Sequence, residues 1–171
     1  MQPNKAIIIV AGGTGTRMGS DIPKQFLKLN GIPILVRTLK TFFNYDPQAK
    51  IIVVMHPESI EQWKQIATEF NAPKHEIIPG WKERFFSVKN GLDSIDDSTK
   101  YIAVHDAVRP LVSEKTLANC FNALEQHSAV VPVISINDSI RFVNEEKNES
   151  VDRTKFKRIQ TPQCFHSTIL K

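Results

Sequence analysis

The chain has 171 residues, of which 41% are hydrophobic and 23% charged, proportions that suit one globular domain with its own core and argue against disorder. Its formal charge of +4 is dispersed rather than blocked, and no basic stripe carries the stacking aromatics that nucleic-acid binding needs. A small polyphosphate substrate suits that modest positive balance equally well. The apolar run Ala6 to Ala11 is too short for a bilayer and runs straight into glycines without a signal-peptide cleavage pattern, so a cytoplasmic protein with no membrane or nucleic-acid partner is expected.

Taken in chain order, Ala6-Ile-Ile-Ile-Val10 is a short β-branched run ended by glycines, which predicts a buried strand. Pro33 to Phe43 opens with a proline suited to a first helical turn and places Ile34, Leu35, Thr38, Leu39 and Phe42 on one face. Ile51 to Met55 predicts a second strand, and Glu58 to Phe70 a helix burying Ile60, Trp63, Ile66, Ala67 and Phe70. Tyr101 to Val104 and Ala129 to Ile134 predict further strands, separated by a helix over Ser113 to His127 with Ser113 as its cap. Apolar strands alternating with amphipathic helices point to an α/β fold, a mostly parallel twisted sheet flanked by helices. In such sheets ligands bind at the carboxyl ends of the strands.

The composition changes near Asn137. A nucleotide-binding core over 1–136 is expected to give way to a β-arm over 137–160, with a return into the core over 161–171. Within the arm, Asn144 to Glu149 reads as a turn-forming tip between Ile140–Val143 and Arg153–Gln160, hence a protruding hairpin. A two-stranded arm is marginal alone in water, so it is expected to lean on a second subunit. Ser167 to Lys171 resembles the opening of a helix with no stop signal after it, so the protein is expected to continue. Cys120 and Cys164 form no closely spaced pair and no metal pattern; Cys120 reads as a small core residue, and neither is given a redox role.

Three segments carry chemistry. The first strand enters Ala11-Gly12-Gly13-Thr14-Gly15-Thr16-Arg17, where glycines let backbone N–H groups approach phosphate oxygens, with Lys24 shortly after. The spacing fits neither a P-loop nor a dinucleotide fingerprint. Two cations beside such a loop suit stabilisation of charge on a transferring phosphoryl group. A later strand ends at His105-Asp106-Ala107-Val108-Arg109, where Asp106 is placed to hold Mg²⁺ with phosphate oxygens. His105 has no ligand-spaced companion and reads as a structural histidine. In Gly80-Trp81-Lys82-Glu83-Arg84-Phe85-Phe86-Ser87, Gly80 allows close approach of a base and Ser87 can hydrogen-bond its edge; Glu83 and Arg84, by themselves, read as solvated charges.

In order, A-G-G-x-G-x-R-M-G, P-K-Q-F-L, G-x-x-E-R-x-x-S-V-x-N-G-L, H-D-A-V-R-P, D-R and Q-T-P-Q-x-F span essentially the whole chain. Together they resemble the 2-C-methyl-D-erythritol 4-phosphate cytidylyltransferase family of the non-mevalonate isoprenoid pathway. The resemblance implies a Rossmann-like domain whose arm interlocks two subunits, and Mg²⁺-dependent transfer of a cytidylyl group from CTP to a sugar-alcohol phosphate. It implies that Arg17 and Lys24 stabilise the pentacoordinate α-phosphate and that Ala11, Gly12, Gly13 and Gly15 wrap the triphosphate. Gly80 and Ser87 correspond to the cytosine reader, Asp106 to the metal ligand, and Ala107 and Arg109 to contacts with nucleotide and acceptor. Asp138, Ser139 and Arg153 correspond to arm residues at the acceptor, with Arg153 reaching across the dimer as a third catalytic position.

Three departures stand against the family pattern. Trp81 replaces the second of two adjacent glycines, Val108 replaces an alanine, and the family's phosphate-binding lysine falls beyond Lys171. Valine at position 108 is shared with ribitol 5-phosphate cytidylyltransferases, which are the rival reading within the enzyme class. A non-catalytic nucleotide-binding domain is the rival outside it; Arg17, Lys24 and Asp106 together argue against that, because binding alone does not demand all three.

Overall fold

A computed structural model describes residues 4–13, 22–81 and 83–171. Its centre is a six-stranded sheet. Strand β1 (Lys5–Ala11) lies between β4 (Lys50–Met55) and β6 (Tyr101–Asp106), parallel to both, and β5 (Glu76–Pro79) extends the parallel set beyond β4. On the far side of β6, the strand β12 (Gln163–His166) runs antiparallel and pairs in turn with β7 (Ala129–Val130). The order is therefore β5-β4-β1-β6-β12-β7.

Side-chain alternation along β1 explains its unbroken apolar run. Ile7 and Ile9 face one core with Leu35, Leu39 and Phe42 of α1 (Ile34–Tyr45), Trp63 of α2 (Ile60–Glu69) and Leu117 of α4 (Glu114–Ala123). Ala6 and Ile8 face the other, with Leu92 of α3 (Arg84–Asp93) and Leu170 of the short α5 (Ser167–Leu170). A strand buried on both faces has no polar side to show, which is the reason for the absence of a period-two pattern. Pro33 precedes the first turn of α1, and the Ser113 hydroxyl accepts from the Thr116 N–H at the start of α4. A two-residue hairpin pairs β2 (Lys28–Leu29) with β3 (Ile32–Pro33) through Asn30 and Gly31, whose φ values of 48° and 76° belong to the left-handed region.

Three expectations are corrected. Ala129 to Ile134 is not one strand. Pro132 supplies no N–H to a ladder, the sheet strand stops at Val130, and β8 (Val133–Ser135) leaves to pair with β11 (Lys157–Ile159). The hairpin is also closed differently. β9 (Ile140–Val143) pairs with β10 (Asn148–Val151), because the Asn144 side chain caps the N–H groups of Glu146 and Lys147 and makes a tight turn. Arg153–Lys155, expected in the return strand, is instead a turn of 3₁₀ helix whose Asp152 side chain accepts from the Thr154 N–H. Cys120 is a core residue as expected, and Cys164, distant in sequence, is buried against it; the contact with Cys120 and burial together push the Cys164 thiol up.

Candidate active site

Among the parallel strands the sequence order reverses at β1. The chain proceeds outward from β1 to β4 and β5, then returns to the opposite side of β1 for β6. The crevice between the carboxyl ends of β1 and β6 is thus the topological switch point, where open α/β sheets bind their ligands. The register sets Val10 against Asp106, so the glycine-rich segment and the aspartate leave the sheet side by side. The Ala107 N–H donates to the Val10 carbonyl (3.0 Å), and the Thr38 hydroxyl of α1 donates to the Ala107 carbonyl (2.8 Å). Ala107 is buried by these bonds, and Asp106 is fixed just before it.

Asp106 does not stand alone. Arg109 donates through Nε to Oδ2 at 2.9 Å, and Arg84 donates through Nη2 to Oδ1 at 3.3 Å. Arg109 also donates through Nη1 to the Gln160 side-chain oxygen at 2.7 Å, and the Thr161 hydroxyl accepts from the Asp106 N–H at 3.4 Å. The expectation that Arg84 is merely a solvated charge is therefore corrected. Its guanidinium crosses from α3 to the end of β6. Both arginines are about half exposed, so each pair contributes under about 1 kcal/mol to stability. Beside the turn lies a groove of about 490 Å³ whose lining includes Val108, Arg109, Pro132, Gln160 and Thr161.

The Gly80 segment meets the same crevice. Its N–H donates to the Met55 carbonyl at the end of β4 (2.7 Å). A Cβ on Gly80 would stand 3.0 Å from the Ser87 hydroxyl and 3.2 Å from the Met55 carbonyl oxygen, so a side chain there would require both neighbours to give by a few tenths of an ångström. The Ser87 hydroxyl accepts from the Trp81 N–H (2.9 Å) and donates to the Trp81 carbonyl (3.2 Å), and it would be the nearest group, at 3.8 Å, to a Cβ on Gly12. Ser87 is buried, so it braces the Gly80–Trp81 segment from behind. Trp81 itself is exposed.

Lys24 sits in the 3₁₀ turn Lys24–Phe26, and its neighbours are anchored. Gln25 donates to the Ala11 carbonyl at 2.9 Å, and Phe26 stacks on Trp63. These bonds tie the lysine's backbone to the end of β1. Gly13 follows Gly12 onto an exposed edge, with nothing within 4 Å of a Cβ placed there. Gly15 and Arg17 lie outside the described residues. On the arm, Arg153 donates to the Asn137 carbonyl, which brings it beside the segment carrying Asp138 and Ser139. His105 behaves as a structural residue: fully buried, set edge-on against Phe42, Nε2 within 3.0 Å of the Arg109 carbonyl, its pKa pushed down to about 4 by burial.

A family model for 2-C-methyl-D-erythritol 4-phosphate cytidylyltransferase matches residues 5–171. The chain belongs to that family. Among curated relatives, 2-C-methyl-D-erythritol 4-phosphate cytidylyltransferases of Bacteroides thetaiotaomicron and Azobacteroides pseudotrichonymphae are 42% and 45% identical, over 98% and 97% of this chain. The chain spans 76% and 75% of their lengths. The crystal structure of the Francisella tularensis 2-C-methyl-D-erythritol 4-phosphate cytidylyltransferase superposes with a TM-score of 0.76 at 30% identity, covering 96% of this chain and 73% of that one. That of 4-diphosphocytidyl-2C-methyl-D-erythritol synthase from Anaerococcus prevotii gives 0.82 at 26% identity, covering 97% and 71%. Family membership makes this chain a nucleotidyltransferase with a Rossmann-like fold, as the motifs implied.

Proposed function

We propose that the protein transfers a cytidylyl group from CTP to 2-C-methyl-D-erythritol 4-phosphate and releases pyrophosphate. The observation that carries this reading is the β1–β6 register, which sets Asp106 beside the Val10–Gly13 exit at the switch point, within reach of two arginines. A phosphate oxygen of the acceptor attacks the α-phosphorus, a new P–O bond forms, and the bond from the α-phosphorus to the bridging oxygen breaks. A phosphate monoester is already an anion near neutral pH, so the site needs positioning and charge neutralisation more than a base.

The residues divide that work. Backbone N–H groups of Ala11, Gly12, Gly13 and Gly15 cradle the triphosphate, while Arg17 and Lys24 stabilise charge on the α-phosphate. Gly80 and Ser87 shape the seat for cytosine. Arg109, with the groove beside it, receives the acceptor, and Asp138, Ser139 and Arg153 approach it from the arm of a second subunit. Mg²⁺ is the expected metal, and the donor set suits it. Among the described residues no group of three or more His, Cys, Asp or Glu side chains forms an all-protein cage, and Asp106 is only partly buried. One carboxylate plus substrate phosphate oxygens is the usual Mg²⁺ arrangement. When bound, the ion supplies neutralisation of the triphosphate charge.

Val108, on the rim of the acceptor groove, is the feature shared with the ribitol 5-phosphate enzymes. Parallel assays with CTP and either acceptor test the assignment. A kcat/KM favouring methylerythritol phosphate by about tenfold or more is expected, a difference of about 1.4 kcal/mol; a preference for ribitol 5-phosphate overturns it.

A further inference from the structure

The bonding of α3 has a consequence for Arg84. Helix α3 is joined to the Pro79–Trp81 segment at three points: Ser87 bonds both the N–H and the carbonyl of Trp81, and Asn90 donates to the Pro79 carbonyl at 2.9 Å. The helix is also pressed onto the sheet at Gly91, where a Cβ would stand 3.0 Å from Ile8 and Val54. Its first residue, Arg84, therefore starts from a fixed point that moves with the base-reading segment. From there the guanidinium reaches the Oδ1 edge of Asp106, 22 residues away in sequence, while Arg109, itself held by the Gln160 side-chain oxygen, donates to the Oδ2 edge.

A half-exposed pair of this kind adds little to folding. Its effect is on orientation, because two donors from different elements fix the plane of one carboxylate. We propose that Arg84 is a positioning residue, setting the Asp106 carboxylate for the metal and tying that setting to the segment that reads the base. This rests on the proposed function. Partners that hold a metal ligand in place commonly alter metal affinity about 10–100-fold when removed.

The test uses the whole chain and titrates CTP by calorimetry, without metal and then at increasing Mg²⁺, for wild type, R84Q and R84K. Metal-free CTP affinity should stay within about twofold of wild type in both variants. The Mg²⁺ midpoint for tightening CTP binding should rise about tenfold or more in R84Q and by less in R84K, which keeps the charge without the fork. At saturating Mg²⁺, kcat of R84Q should return to within about threefold of wild type. An unchanged midpoint in R84Q overturns the inference. So does a lower one, which would mean that Arg84 competes with the metal for Asp106. Should R84Q not fold, R84K is read the same way, and an unmoved midpoint there overturns it. A wild-type chain whose CTP binding ignores Mg²⁺ would instead strike at the proposed function itself, so the two failures are distinguishable.

Discussion

At the scale of single residues, charge placement decides the chemistry. Lys24 contributes to no described ion pair, and its neighbours Gln25 and Phe26 are held against β1 and Trp63. A cation so mounted can be spent on the transition state. Lys24→Ala and Arg17→Ala should each lower kcat by roughly 2–4 kcal/mol of transition-state stabilisation while CTP affinity changes little, measured by steady-state kinetics beside calorimetry. Unchanged turnover in both would remove the mechanism. His75 offers a separate test. Its neutral ring accepts from the Trp63 indole N–H (2.9 Å), with Nδ1 placed 2.6 Å from the Pro73 carbonyl, and burial lowers its pKa against the raising effect of that carbonyl. The unfolded chain then takes up the proton first. Stability should be full above the ordinary value near 6.5 and fall as pH drops below it toward the lowered folded value. Urea midpoints from about pH 7.5 to about 5.5 should show that decline, and His75→Gln should flatten it. Asp106, Gly80 and Ser87 could be picked out in the sequence as candidates because each belongs to a local motif. The Arg84–Asp106 pair could not, since 22 residues separate its members and only the return of β6 beside β1 brings them together.

At the scale of elements, the buried strands and amphipathic helices were readable because burial on one or both faces leaves a direct mark on composition. The arm was harder. Its strands expose most of their side chains, so no core selects a register, and turn chemistry at Asn144 decides the pairing instead. Strand β12 carried little apolar signal of its own; it owes its place to the antiparallel ladder with β6. Helix α3 shows how packing sets function. Gly91→Val should overfill the contact with Ile8 and Val54, cost roughly 1–3 kcal/mol and lower Tm by several degrees, and so disturb the helix that carries Arg84 and Ser87. A calorimetric scan that leaves Tm unchanged would contradict that packing. On the arm, Arg153→Ala should raise KM for the acceptor about tenfold to a hundredfold and leave CTP affinity near wild type, the roughly 1.5–3 kcal/mol expected for a hydrogen bond to a charged group.

At the scale of the molecule, strand order is the feature no local pattern discloses. Motifs predicted that glycine loop and aspartate share a site, but only the order β4-β1-β6 makes them neighbours. The ribbons at 133–159 expose Val133, Ile134, Phe142, Val143, Phe156 and Ile159. An apolar surface of that kind on two-stranded ribbons favours cover by a second subunit. Sedimentation should find a dimer at micromolar concentration, and a monomer after charged substitution of Phe142 and Ile159 together; a monomeric wild type contradicts the arm's proposed reach into a partner. The most direct test of the whole account is pyrophosphate release from CTP with the product followed by phosphorus NMR. Stoichiometric pyrophosphate and a new diphosphate linkage should form only when Mg²⁺ and 2-C-methyl-D-erythritol 4-phosphate are both present. No release from a chain that binds CTP, or equal release without the acceptor, would contradict cytidylyl transfer at Asp106.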